Sequence, residues 1–138
     1  MSAIDAVKTF LRDRGLADEV VEAGAGGLIE RWEQAGRDLE REVYPFHVED
    51  WLDELEGRQL LWELQAAVPA ALAGGLQARL HDADSRIMAA TDIVPVCLWG
   101  EVLAKRLRWR SDHEWWYWRR PMRAAADFEG EAPGSAKE

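Results

Sequence analysis

The sequence predicts a mostly α-helical single domain, a bundle of about five helices with room for a small β-hairpin near the C-terminus. Three observations lead there. Apolar residues recur at three- and four-residue steps through the first two thirds of the chain, and Gly and Pro punctuate those stretches. The 138 residues, 48% hydrophobic and 31% charged, suit one core and exclude disorder throughout. The domain is expected to fill 1–128, with the polar, small-residue segment 129–138 as a disordered tail.

The first helix is expected over 3–14. Ser2 can cap it with Asp5 three residues on, while Ile4, Val7, Phe10 and Leu11 form one stripe and Gly15 can end it in the left-handed region. Asp18 to Ala23 reads as a short helical turn that runs into Gly24-Ala25-Gly26-Gly27. Leu28, Trp32, Ala35, Leu39 and Val43 keep helical spacing and predict a second helix at about 28–43. Tyr44-Pro45 closes it, because the residue before proline is pushed out of the α region.

Trp51, Leu52 and Leu55 opposite Glu49, Asp50, Asp53 and Glu54 predict a short amphipathic helix over 48–55, broken at Gly57 and resumed over 58–68. Pro69 suits a first helical position, and Leu72, Leu76, Leu80, Ala83, Ile87 and Ala90 predict the clearest helix, 70–91, closed by Asp92 to Pro95. Val96 to Leu107 reads as a last helix, although Val96 to Trp99 also has strand character. Residues 107–120, LRWRSDHEWWYWRR, alternate aromatics and arginines around Ser111-Asp112-His113 and fit a hairpin.

Seventeen Lys and Arg against twenty-six Asp and Glu leave a net charge of −9, which repels phosphate backbones and acidic membranes. Nucleic acid is disfavoured as a partner, and no run nears the ~18 apolar residues of a membrane span. The first residues, with Asp5 and Asp13 among them, lack the apolar centre of a signal peptide. The single cysteine, Cys97, excludes an intramolecular disulfide, so a cytoplasmic protein is expected. Fourteen Arg against three Lys point to a source with GC-rich codons, and the general pattern is that of a small bacterial protein.

Several constellations carry potential chemistry. Gly24, Gly26 and Gly27 lack the preceding strand of a dinucleotide fingerprint and the Gly-Lys-Ser/Thr of a phosphate loop, so an interhelical turn is expected. His47 with Glu49, Asp50, Asp53 and Glu54, and His81 with Asp82, Asp84 and Asp92, offer acid–base or metal-ligating side chains. Both sets read better as solvated helix faces. No paired Glu-x-x-His motifs accompany them, so no metal, no cofactor and no catalytic residue is assigned. Ser85, Ser111 and Cys97 lack a nucleophile setting, and the adjacency of Ser111, Asp112 and His113 counts for little, since triads assemble from distant residues.

The charge is unevenly placed. Residues 1–103 carry a net −11, whereas 104–123 carry seven Lys and Arg against two acids, a net +5, with Trp109, Trp115, Trp116 and Trp118 interleaved. Those rings can close the core, or present a recognition surface with Arg119. Two function classes follow. The favoured one is a non-catalytic acidic binding module for a basic protein partner, as an immunity protein or antitoxin is, with Glu49, Asp50, Asp53 and Glu54 as contact face over Trp51 and with Trp115, Trp116, Trp118 and Arg119 as a second candidate surface. The other is a small enzyme or ligand-binding protein with a Trp-lined pocket served by His47 or His81. Oligomeric state is left open.

Overall fold

The computed structural model describes residues 2–129, and the order of its elements is α1 (Ala3–Asp13), α2 (Asp18–Leu39), α3 (Val48–Ala67), a 3₁₀ turn (Pro69–Leu72), α4 (Leu76–Ala89), β1 (Thr91–Ile93), α5 (Glu101–Leu107), a second 3₁₀ turn (Trp115–Trp118) and β2 (Arg119–Pro121). The mostly α-helical class holds, with five α-helices among the described residues. The tail expected from 129 onward lies outside the described residues beyond Glu129. No described helix is long and apolar enough to cross a membrane.

α2 is the central helix, packed by α1, α3 and α4. Its inward face buries Val21, Ala25, Leu28, Ile29, Trp32, Ala35 and Leu39, the i, i+4, i+7 stripe that its sequence spacing predicts. Trp32 and Trp51 stack with ring centroids 6.3 Å apart, Tyr44 packs edge-on to Trp51, and Phe128 packs edge-on to Tyr44. Of the long-helix stripe, Leu80 and Ile87 are buried as expected, while Leu76 is half-buried.

Several boundaries differ from expectation, each for a physical reason. The turn at 18–23 and the second helix form one element, kinked at Gly24, whose φ of 67° and ψ of −156° only glycine adopts at low cost. That helix ends at Leu39, not at Val43. Tyr44, not Val43, turns into the core, and its N–H donates to the Arg123 carbonyl at 2.9 Å. Val43 is 50% exposed. Gly57 breaks nothing. A mid-helix glycine costs about 1 kcal/mol, and Leu55, Arg58, Leu61 and Leu64, all buried, hold α3 together across it. The helix expected over 70–91 splits at Gly74 and Gly75, whose φ of 71° and 89° turn the chain between the first 3₁₀ turn and α4.

The helix expected over 96–107 shortens to α5, because Gly100 at φ 92° sets its start and Cys97 is drawn into the core. No hairpin forms in 107–120. Trp116 and Tyr117 are adjacent and both buried. A strand would send neighbours to opposite faces, and a 3₁₀ turn brings both inward. β2 pairs antiparallel with β1 far upstream, in the register Thr91 with Pro121 and Ile93 with Arg119. The chain from 117 to 128 is thus a strap: its carbonyls accept from Leu98 and Val94 at one end and from Tyr44 and Val48 at the other.

Candidate functional site

The deepest polar contacts are structural. Arg58 of α3 donates through Nε and Nη2 to both oxygens of Asp84 on α4, each at 2.9 Å, and the Trp32 indole N–H donates to Asp84 Oδ1 at 2.8 Å. The Arg58 guanidinium lies 4.3 Å from the Trp116 ring centroid. These four side chains tie α2, α3, α4 and the second 3₁₀ turn together. Asp84 is therefore absent from any acid–base pair with His81, which is exposed.

The candidate site is a cleft of about 530 Å³ between α2 and α3. Its α2 wall uses Val20, Ala23 and Gly27, with Leu16 just before the helix, and its α3 wall Asp53, Glu56, Gly57 and Leu60. Both sets follow helix-face spacing, so one face of each helix looks into the cleft. The floor is apolar. Glu19, Glu30, Asp53 and Glu56, all exposed, stand around it with Arg31 as the cation among the lining residues. Arg31 Nε donates to Glu54 at 3.1 Å, so that charge is already matched. Burial pushes the Glu54 carboxyl up, and Arg31 offsets part of the rise. Glu56 accepts from the Trp99 indole at 3.1 Å and from the Tyr117 hydroxyl at 3.0 Å. The Tyr117 phenol is pushed far up by its burial and by the Glu56 carboxylate, and stays a donor. Among the described residues, Glu19, Glu30 and Asp53 have no cationic side chain within ion-pair distance.

Of the expected contact face, Asp53 lines the cleft and Glu54 sits behind it on Arg31. Glu49 and Asp50 are exposed at the start of α3, where Asp50 accepts from the His47 N–H at 3.0 Å and so caps the helix. The His47 ring is 3.3 Å from Asp127. Trp51 lies beneath as expected, fully buried, with its indole donating to the Arg119 carbonyl at 2.9 Å.

The C-terminal cluster divides. Trp116 is 1% exposed, so its indole belongs to the core and is not available at a surface. Trp115, Trp118 and Arg119 do come together, lining a cleft of about 350 Å³ with Ser111 and residues 93–95. One arm of Arg119 is committed there, because Nη1 donates to the Met88 carbonyl in the last turn of α4 and to the Thr91 carbonyl at the start of β1. A third cleft, about 510 Å³ between α1, the α2 kink and residues 70–76, is walled by small apolar side chains, and its Lys8 and Glu22 pair with each other at 3.2 Å.

Comparison with protein-family models, curated proteins and solved structures gives no match. Among the described residues no three His, Cys, Asp or Glu side chains converge as metal ligands would. Sequence reasoning missed Glu19, Glu30, Glu56 and Gly57. The four-residue step from Asp53 to Gly57 was visible, but the cleft exists only once α2 and α3 are packed.

Proposed function

We propose that the chain is a non-catalytic binding module that takes a basic, amphipathic helical segment of a partner protein into the α2–α3 cleft. The observation that supports this most is the pairing of an apolar floor with a rim of four exposed carboxylates against one already matched guanidinium. Apolar residues on such a segment would fill the floor, and its Lys or Arg side chains would reach the rim. Gly57 adds a second argument. A Cβ built there meets no atom within 4 Å, so the fold itself does not need the glycine, and its smallness deepens the cleft. A neutralising role of the kind an immunity protein or antitoxin plays accords with this chemistry.

The test is a calorimetric titration with a Leu/Lys amphipathic helical peptide. Binding is expected at low salt and should fade as the screening length falls from ~30 Å at 0.01 M to ~3 Å at 1 M. Glu30→Lys with Asp53→Lys should abolish it while leaving the circular dichroism unchanged. Absence of binding at low salt, or unchanged binding by the double variant, contradicts the proposal.

A second reading has its own observation: the two half-buried indoles Trp115 and Trp118 face a cleft with Pro95 and Ser111. It makes that cleft a ligand site. Peptide binding lost on Trp118→Ala and kept by the Glu30/Asp53 variant would favour it.

A further inference from the structure

The charge segregation along the chain has a spatial form. α5 is anchored by one side, with Ala104 buried, and turns outward both apolar and cationic groups. Val102 is 74% exposed and Leu107 48%, with Trp99 at 40% just before the helix. Lys105 and Arg106 are exposed beside them, and Arg108 follows. An exposed apolar set of this kind marks a contact surface, and its cations select an anionic one. The α2–α3 cleft, apolar below and acidic at its rim, has the complementary chemistry.

α5 cannot enter the cleft of its own chain. The Trp99 indole is bonded to Glu56 at 3.1 Å and the Leu98 N–H to the Tyr117 carbonyl at 2.8 Å, which holds the base of α5 beside the cleft while Val102 and Leu107 stand in solvent. Because Glu56 belongs both to the cleft wall and to this anchor, the acidic cleft and the basic helix are neighbours on one surface. A surface that carries two complementary patches side by side is self-complementary about a two-fold axis. We infer that two copies of this chain pair reciprocally, each laying its α5 face into the α2–α3 cleft of the other. The inference rests on the cleft being a docking site, as proposed above. The contact is made twice, which brings a short-helix contact toward the ~1,200 Å² of a specific interface. A basic partner segment would then compete with the second copy, so the pair is the resting form and partner binding divides it.

Sedimentation equilibrium of the full chain tests this with two charge-swapped variants, Glu30→Lys/Asp53→Lys in the cleft and Lys105→Glu/Arg106→Glu on α5. The parent should form dimers at low salt that dissociate at high salt. Each variant alone sets like charges against each other and should dimerise at least about tenfold more weakly, a difference of ~1.4 kcal/mol. Mixed one to one, the two variants present complementary charges at both contacts, and the dimer should return. Val102→Ser, an uncharged change at an exposed site, should weaken the parent dimer as well. The Leu/Lys peptide should convert parent dimers to monomers carrying peptide. A parent that is monomeric at low salt, a variant that dimerises as the parent does, or a folded mixture that stays monomeric overturns the pairing. If the monomeric parent still binds the Leu/Lys peptide through Glu30 and Asp53, the cleft reading survives alone; if it binds neither, both fall.

Discussion

The two sides of α2 treat the same residue types in opposite ways. Toward α4, acids and arginines are matched: Glu33 with Arg79 at 2.6 Å and Glu40 with Arg86 at 2.5 Å, while Asp84 of α4 takes Arg58 from α3. The spacing from Glu33 to Glu40 equals that from Arg79 to Arg86, so α2 and α4 run parallel in one register. Toward α3, the acids around the cleft outnumber the arginines, and Glu19, Glu30 and Asp53 face solvent. A side that is charge-balanced is finished by the chain itself. On the reading proposed above, a side with an apolar floor and a surplus of one sign is finished by another molecule.

The largest expected effect lies on the finished side. Asp84→Ala leaves the Arg58 guanidinium buried without its carboxylate and should lower unfolding stability by ~3–5 kcal/mol in a denaturant titration. Arg58→Met with Asp84→Asn should cost far less, because both charges and their desolvation penalty are gone while the amide oxygen still accepts from the Trp32 indole. A loss below ~1 kcal/mol for Asp84→Ala would show that the balanced side is not what holds the helices together.

Trp116→Ala comes next. The ring is fully buried against Arg58 and Trp62, so truncation should cost ~3–5 kcal/mol. Its peptide affinity, measured where the variant is folded, should match the parent. Gly57→Ala sharpens the comparison from the other side. No atom lies within 4 Å of the added Cβ, so thermal unfolding should report a gain of ~0.5–1 kcal/mol. Peptide affinity should fall, since the methyl group stands in the cleft.

The smallest effect is the response to pH. Arg79 and Arg86 hold Glu33 and Glu40 below the usual carboxylate range. Their contribution is present at neutral pH and lost as pH falls through those depressed values. Glu54 runs the other way. Burial raises it, so its charge opposes folding at neutral pH, and that opposition disappears as pH falls through the raised value. Relative to Glu54→Gln, the parent should therefore gain stability from neutral to mildly acid pH.

Helical periodicity made the core stripes of α1, α2 and α4 legible, because Leu11, Trp32, Leu39, Leu80 and Ile87 need only local spacing to be placed. What escaped depends on contacts between distant segments. Val43 and Tyr44 could not be told apart until the strap at 123–128 supplied the partner for Tyr44. Residues 107–120 read as a hairpin from their interleaved aromatics and arginines, but burial of the adjacent Trp116 and Tyr117 rings requires a 3₁₀ turn instead. At the candidate site, Asp53 was named from the charge of its helix face, whereas Glu19 and Glu30 looked equally solvated in α2 and gained meaning only beside Gly57 and Leu60. The arginines of the C-terminal segment were legible as charge and not as carbonyl caps, which is what Arg119 and Arg123 became.

The most direct test of the unfinished side is an amide chemical-shift map of the isotope-labelled chain titrated with the Leu/Lys peptide at low salt. Shifts should concentrate at Val20, Ala23, Gly27, Gly57 and Leu60, the two walls of the cleft, and should collapse on adding salt. Shifts confined to residues 93–95 and 115–119, or none at saturating peptide, would contradict the account.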